Sequence, residues 1–162
     1  MSEPHIRRAE AADLPAIVAM LADDPLGRSR EDATEPLAKA YRDAFAAIDA
    51  DPNQLMTDSG RVIGTLQISY LAGLSLQGAL RGQIEAVRVA ADRRGERLGQ
   101  RLLEWAVEQC RERGCKIVQL TTNKSRQDAH RFYDRLGFKA SHIGYKLELN
   151  SVAADGAGSA AP

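Results

Sequence analysis

The sequence predicts one α/β (α+β) domain whose sheet begins as an antiparallel meander and later gains a parallel pair of strands. Three patterns support this prediction: a hairpin pattern at 53–70, a strand–helix–strand pattern at 82–121, and helical periodicity in the segments between strands. Antiparallel neighbours need only short turns, whereas the strand–helix–strand unit should be parallel with a right-handed crossover. A chain of 162 residues suits one domain with one core.

The first half of the chain is predicted to supply the meander and two helices. The expected elements are a strand at 5–9, helices at 12–21 and 35–48, and strands at 53–57 and 61–70. Both helices carry apolar residues at helical spacing, and Asp58-Ser59-Gly60 is a turn typical of a hairpin. Between the helices, the segment 25–29 contains a proline and a glycine, which interrupt the helical pattern.

The second half is predicted to supply the strand–helix–strand unit and the end of the domain. The expected elements are a strand at 82–90, a helix at 97–113, a strand at 117–121, a helix from Ser125 to about Leu136, and closing strands at 138–139 and 144–149. Gly114 and Gly137 follow the two helices, where a left-handed residue commonly ends a helix. Residues 1–150 are therefore expected to form a single domain, and the Ala/Gly/Ser-rich stretch 151–162 a disordered tail.

Composition narrows the class of function. Lys+Arg and Asp+Glu number 22 each, so the net charge of zero does not favour nucleic acid or a membrane surface as a partner. No apolar run approaches the roughly 20 residues that span a bilayer. The N-terminus has no secretory pattern, so a cytoplasmic location is expected. Cys110 and Cys115 are expected to be buried core residues rather than a disulfide or a zinc site.

The most informative segment is the expected strand–turn–helix junction at 87–103. The first amide groups of a helix lack internal acceptors, and the helix dipole adds partial positive charge there, so this geometry favours phosphate. Arginines crowd the same corner, namely Arg93, Arg94, Arg97 and Arg101. The dinucleotide and phosphate-loop fingerprints are both absent, because the glycine spacing fits neither. A local basic site for a small pyrophosphate-bearing ligand is therefore predicted, with a solvated surface turn as the alternative.

Two motifs at this junction and downstream resemble the GNAT superfamily of acetyl-CoA-dependent N-acetyltransferases. The family motif R/Q-x-x-G-x-G/A aligns with residues 94–99, and a second motif aligns with Asn123, Ala129, Phe132, Tyr133, Leu136, Gly137 and Phe138. The similarity covers residues 6 to about 149. It implies a mixed, mostly antiparallel twisted sheet with a central parallel pair, the fourth and fifth strands, flanked by about four helices. Within the family, the run 122–133 is similar to aminoalkylphosphonate acetyltransferases.

The resemblance implies acetyl-CoA as co-substrate and no metal. The pyrophosphate would be held by successive amides of the turn, and the pantetheine arm would pair with the backbone of Val87 and Val89, where neighbouring strands splay apart. The residues expected to bind acetyl-CoA are Val87, Arg88, Val89, Arg94, Gly95, Glu96, Arg97, Leu98, Gly99, Gln100, Arg101, Asn123, Arg126, Ala129, Phe132 and Tyr133. Arg97 replaces a motif glycine, and a positive φ there would cost roughly 1 kcal/mol. Asn123 could equally be a turn residue.

The chemistry implied is direct acetyl transfer from a thioester to a primary amine. Such an amine is mostly protonated at neutral pH, so a base is expected nearby. Glu85 is the candidate, because it lies two residues before Val87 and so on the same face of the strand. Tyr133 is the candidate acid for the departing thiolate. The alternatives are a solvent-facing Glu85 and an interior Tyr133 that bonds only a carbonyl.

The expected acceptor is a small-molecule amine, and contacts to it are sought in the first two helices and at 70–82, where Tyr41, Arg42 and Tyr70 are possible contributors. A homodimer is possible. One alternative function is a non-catalytic acyl-CoA-binding sensor or regulatory module, which needs the turn at 94–99 but neither Glu85 nor Tyr133. A nucleotide-binding α/β domain is a third.

Overall fold

A computed structural model describes residues 5–23, 26–51, 54–59 and 62–149, with only the backbone described at 54–59. The described residues divide into two compact units, one ending at Thr121 and the other beginning at Thr122. The predicted tail at 151–162 lies outside the described residues. Whether residues 1–150 act as one domain stays a prediction.

The first unit contains the whole described sheet and four helices. Its strands are β1 (Ile6–Arg8), β2 (Gln54–Ser59), β3 (Gly64–Ala72), β4 (Leu80–Val89) and β5 (Ile117–Leu120), and its helices are α1 (Leu14–Ala22), α2 (Lys39–Ala50), the four-residue α3 (Ser75–Gly78) and α4 (Leu98–Glu112). The strands follow one another in sequence order across the sheet. Neighbours from β1 to β4 are antiparallel, and β4 and β5 are parallel, as the sequence predicts.

The predicted closing strands are wrong. None of the described residues from 138 to 149 lies in a strand, and the apolar side chains of Ile143, Tyr145, Leu147 and Leu149 are exposed. The parallel pair therefore lies at the edge of the described sheet instead of at its centre. Alternating apolar residues favour a strand only where a neighbouring strand supplies hydrogen bonds, and period alone does not supply that neighbour.

The second helix begins four residues later than predicted. Residues 35–38 precede α2, and the carboxylate of Glu35 accepts a hydrogen bond from the amide of Leu37 at 3.2 Å. Pro36 disfavours a helical conformation for the residue before it. The apolar spacing therefore continues across a segment that is not helical.

One face of the sheet packs against α4. Leu66, Ile68, Tyr70 and Ile84 are buried there, and β4 and β3 both contact the helix. Gly82 permits the close approach, because a Cβ at this position would lie 2.3 Å from Cys110 Sγ. Cys110 and Cys115 are free thiols, and burial raises the pKa of Cys110 to about 12, which makes it an inert core residue as expected.

The first two helices have a hydrophobic cluster of their own. Its buried members are Ala9, Leu14, Ile17, Val18, Leu37 and Phe45, and none belongs to α4. Helix α1 contacts β3 and β4, and α2 contacts β2. Thr65, which alternates away from the α4 face, is fully buried. The sheet is therefore covered by α4 on one face and by α1 and α2 over part of the other.

Strand β4 contains a bulge. Gln67 pairs with Glu85 and Thr65 pairs with Arg88, so three steps along β4 match two steps along β3. The extra residue is accommodated at Ala86, whose φ is +53°. The extra residue reverses the alternation of side chains beyond it. Residues with the same odd or even number on the two sides of the bulge therefore lie on opposite faces of the sheet.

Candidate functional site

The junction between β4 and α4 is a tight turn with two left-handed residues. A single 3₁₀ turn, Ala91–Arg93, follows β4. Gly95 has φ +89° and Arg97 has φ +61°, and α4 begins immediately afterwards at Leu98. The condition set out for Arg97 is therefore met: a non-glycine residue occupies a left-handed position, at a cost of roughly 1 kcal/mol.

This turn presents a run of unpaired amide groups. In the described part of the chain, no acceptor receives a hydrogen bond from the backbone N–H of any residue from 95 to 100, and no side chain caps α4. The first internal bond runs from the amide of Arg101 to the carbonyl of Arg97 at 3.1 Å. Six successive free donors at the positive end of a fifteen-residue helix form a cradle suited to a diphosphate.

Arg93 and Arg94, at the corner before α4, both form ion pairs. Arg93 donates two hydrogen bonds of 2.7 Å to the carboxylate of Glu96, and this guanidinium holds the pKa of the Glu96 carboxyl below its ordinary value. Arg94 donates to Asp23 at the end of α1, at 2.8 Å to Oδ2 and 3.2 Å to the carbonyl. The sequence suggested no acidic partner for either, so the corner is less basic than expected.

The end of β4 leaves one backbone edge open. Strand β5 pairs only with residues 81–84, so β4 continues past it from Glu85 to Val89. The amide of Ala90 bonds the carbonyl of Ile63 on the β3 side. By alternation, Val87 and Val89 direct their backbone groups to the opposite, open side. This matches the edge that a pantetheine arm would need, although Arg88 Nη1 already donates to the Val87 carbonyl at 2.9 Å.

The bulge overturns the argument that placed Glu85 on one face with Val87. Glu85 instead shares a face with Arg88, since their partners Gln67 and Thr65 lie two residues apart on a regular strand. The Glu85 side chain is exposed. It lies at the last residue before the bulge, directly after the point where β4 and β5 cease to pair. Glu85 therefore lies beside the open edge of β4, but it does not share a face with Val87.

The second unit carries α5 (Gln127–Arg135) and the turn before it. The Oδ1 atom of Asn123 accepts hydrogen bonds from the amide and the hydroxyl of Ser125, at 2.9 and 2.8 Å. Its carbonyl accepts from the amide of Arg126 at 3.0 Å and contacts Nε2 of His130 at 3.0 Å. Asn123 thus forms the turn that starts α5, which is the alternative role anticipated for it, and Arg126 occupies the N-cap position.

Tyr133 lies on α5 within a small aromatic group. Its ring centroid is 5.4 Å from that of Phe132 and 6.0 Å from that of Phe138, in tilted and edge-on arrangements. The side chains of Ala129, Phe132 and Tyr133 are half-buried. Both neighbouring rings lie at distances typical of aromatic contacts.

The three residues considered as acceptor contacts already have other partners. The Tyr41 hydroxyl donates to Glu31 and accepts from the amide of Asp32, both at 2.9 Å. Arg42 donates to the Leu37 carbonyl. Tyr70 is buried on the α4 face under the guanidinium of Arg113, and burial raises its pKa. Tyr70 therefore faces α4 and not the side of the sheet on which Glu85 lies.

The polar residues on the exposed side of the sheet near Glu85 were not predicted from the sequence. Gln83 and Arg81 precede Glu85 at alternate positions on β4, and Gln119 on β5 donates to Gln83 Oε1 at 2.8 Å. Alternating polar positions in both strands could have revealed this face. Among the described residues, no group of three His, Cys, Asp or Glu side chains could hold a metal ion, and no helix is long and apolar enough to cross a bilayer.

Comparisons with known proteins agree with this geometry. A model of the acetyltransferase (GNAT) family matches residues 16–138. Aminoalkylphosphonate N-acetyltransferase from Salmonella typhimurium is 38% identical over 114 residues, which are 68% of this chain and 73% of that protein. Glucosamine 6-phosphate N-acetyltransferase from Trypanosoma brucei brucei is 32% identical over 92 residues, which are 56% of this chain and 60% of that protein.

A solved structure is similar along nearly the whole chain. It is described as a transcriptional regulator from Bacillus halodurans C-125, is 45% identical, and superposes with a TM-score of 0.88 over 91% of this chain and 100% of that one. The family match covers most of the chain, including β4, the amide cradle and α5. The chain therefore belongs to the acetyltransferase (GNAT) family, as an N-acetyltransferase that takes its acetyl group from acetyl-CoA.

Proposed function

We propose that the acceptor is the primary amine of a small molecule that also carries a phosphonate or phosphate group. The run of six unpaired amides at the start of α4 is the observation that supports the acetyl-CoA half of the reaction. The acceptor half is supported by the names of two relatives, which act on an aminoalkylphosphonate and on glucosamine 6-phosphate. Both names describe a substrate molecule that carries an amine and, elsewhere, a phosphorus oxyanion.

In this proposal the turn residues Arg94 to Arg101 hold the diphosphate, mainly through the amides of 95–100. Val87 and Val89 offer backbone groups along the open edge of β4. Arg97 is the corner arginine without a hydrogen-bond or ion-pair partner in the described part of the chain, so its guanidinium is available to a phosphate. Bound acetyl-CoA supplies the activated acetyl group, and the chain supplies orientation and proton transfer.

Glu85 is proposed to accept the proton of the incoming ammonium group. Deprotonating a lysine-like amine at neutral pH costs about 4–5 kcal/mol, so an acceptor for that proton is needed. Glu85 is exposed at the bulge and bears a carboxylate, which can act directly or through one water. Glu85→Gln is expected to reduce activity most at low pH, whereas a uniform loss across pH would indicate a structural role.

Tyr133 is proposed to donate its hydroxyl proton to the departing thiolate. A phenol of pKa near 10 can protonate a thiolate whose conjugate acid has a pKa near 8.5, at a modest energetic cost. We expect Tyr133→Phe to lower kcat by about 10–100-fold with little change in CoA affinity. Tyr145→Phe is the matched control, because that ring is exposed and lies outside the motif. An unchanged kcat would remove Tyr133 from the mechanism.

The whole proposal is tested by titrating CoA calorimetrically and by measuring thiol release from acetyl-CoA with a panel of amines. The panel contains 2-aminoethylphosphonate, glucosamine 6-phosphate, ethanolamine and a peptide with a free N-terminus. Turnover highest on the phosphorus-bearing amines is expected. Best turnover on the peptide would overturn the acceptor assignment. CoA binding without any turnover would favour the regulatory alternative, which the described role of the 45%-identical structure makes the second candidate.

A further inference from the structure

The exposed side of the sheet around Glu85 has its own chemical character. Alternation places a set of mostly polar residues on this face of β3, β4 and β5: Gln67, Ser69, Leu71, Arg81, Gln83, Glu85, Ile117 and Gln119. Gln83, Gln119 and Ser69 form one row across three strands and are half-buried. Glu85 is the single carboxylate of the set and Arg81 its cation, and Arg88 lies on the same face beyond the bulge.

The Gln83–Gln119 pair retains donors for a ligand. Gln119 Nε2 donates to Gln83 Oε1, so the two N–H groups on Gln83 Nε2 and the second on Gln119 have no partner in the described residues. Positions 83 and 85 lie two residues apart on one face, about 6.6 Å along the strand. That spacing suits a molecule whose amine and oxyanion are separated by a short carbon chain.

Arg81 has no anionic partner among the described residues of this face. Its Nε atom is buried and has no hydrogen-bond partner, and no described group pairs with the rest of its guanidinium. The guanidinium lies beside Gly73, with Nη2 3.5 Å from the point where a Cβ on Gly73 would be. A buried, unpaired guanidinium donor is costly to the folded protein, and an oxyanion offers the bidentate acceptor that it needs.

We propose that Arg81 and the Gln83–Gln119 pair form the subsite that binds the oxyanion of the acceptor, while the amine lies at Glu85. This inference rests on the proposed function and assigns the acceptor specificity to three residues of β4 and β5. The flexible side chain of Arg81 turns from Gly73 toward the glutamine row when the oxyanion is present. An amine without a negative group would leave Arg81 unpaired and would bind weakly for that reason.

The test compares three acceptors of similar length with saturating acetyl-CoA: 2-aminoethylphosphonate, β-alanine and ethanolamine. We expect Arg81→Met to reduce the ratio of kcat/KM for either anionic amine over ethanolamine by about 30-fold, and Gln83→Leu by about 5-fold. Arg81→Lys should restore part of the ratio, because it keeps the charge without the planar fork. Arg111→Met, on the exposed side of α4, is the matched control and should leave the ratio unchanged.

Two further measurements separate this inference from the proposed function. Arg81→Met should melt no lower than the wild type, because it removes a buried unpaired donor, whereas a structural arginine would lower the melting temperature. Calorimetric binding of 2-aminoethylphosphonate to CoA-saturated protein requires no turnover, and Arg81→Met should weaken it by a similar factor. Equal losses on all three amines, or no binding of the phosphonate to the wild type, would overturn the subsite. If the phosphonate binds in an Arg81-dependent way but is not acetylated, the subsite stands and only the proposed acceptor reaction is overturned.

Discussion

Arg97 combines an unfavourable conformation with a favourable location. It has φ +61° directly before α4, and its backbone amide is one of the six free donors. Glycine would adopt this conformation without steric cost. The arginine side chain, on the other hand, places a permanent charge at the cradle. Under the proposed function, the residue exchanges stability for ligand affinity, and the two contributions can be measured separately.

We expect Arg97→Gly to raise the free energy of unfolding by up to about 1 kcal/mol, because it removes the left-handed strain. Urea denaturation of the ligand-free protein measures this difference. Arg101→Gly is the control: that residue lies inside α4, where glycine should lower stability by about 1 kcal/mol. The same Arg97→Gly protein should bind CoA several-fold more weakly than the wild type. This difference should be largest near 10 mM salt, where screening of the lost charge is weakest. A loss of stability would show that the arginine side chain compensates the strain.

At the scale of elements, the site depends on where two regular elements become irregular. Strand β4 bulges at Ala86 and extends past β5, and α4 starts without a capping side chain. The first irregularity opens a backbone edge, and the second opens a helix N-terminus. Each would be a defect in a structural element, and together they leave two stretches of backbone available: the open edge at Val87 and Val89, and the free amides of residues 95–100.

The amide cradle can be tested by deleting one donor at a time. Gln100 is the third residue of α4, where proline is tolerated because the amide has no helical acceptor. We expect Gln100→Pro to weaken CoA binding about 10-fold while the melting temperature changes little. Gln100→Ala keeps the amide and loses only the side-chain bond to Glu104, so it serves as the control. Equal CoA affinity of the two variants would place the Gln100 amide outside the cradle.

The sequence predicted the regular elements better than their irregularities. Strong periodicity located α4 to within one residue at each end, and β-branched runs located β4 and β5. It could not predict the bulge at Ala86, because an alanine in a strand carries no local signal for a positive φ. Nor could it predict that Asp23 neutralises Arg94, since the two are 71 residues apart and meet only in the folded chain. The strand predicted at 144–149 is absent because an alternating pattern does not specify which strand it would pair with.

At the scale of the first unit, each end of α1 forms an ion pair with another element. Arg7 of β1 binds Asp13 at the start of the helix, and Asp23 at its end binds Arg94 of the turn before α4. The helix thus connects the first edge of the sheet to the amide cradle. The Asp23 pair is half-exposed and contributes little, whereas Asp13 is nearly buried and accepts three hydrogen bonds. Asp13 is therefore the more important of the two carboxylates for the stability of the unit.

Asp13 should give the stability of the protein a recognisable dependence on pH. Hydrogen bonds from Arg7 and from the amide of Glu10, with the charge of Arg7, hold its pKa below the ordinary value of about 3.9. A lowered folded-state pKa means that this stabilisation is complete above about pH 5 and is lost as the pH falls below about 4. We expect Asp13→Asn to lower the free energy of unfolding by about 2 kcal/mol at pH 7.

That deficit should shrink steadily between pH 4 and pH 2, as the wild-type carboxylate is protonated and the two proteins become electrostatically equivalent. Urea denaturation of both proteins at pH 7, 5, 4 and 3 measures the change. Asp43→Asn is the control, because its pair with Lys39 is an exposed contact on α2 and should contribute only a few tenths of a kcal/mol. A deficit for Asp13→Asn that stays constant from pH 7 to pH 3 would mean that shape, and not the charge of the carboxylate, joins β1 to α1.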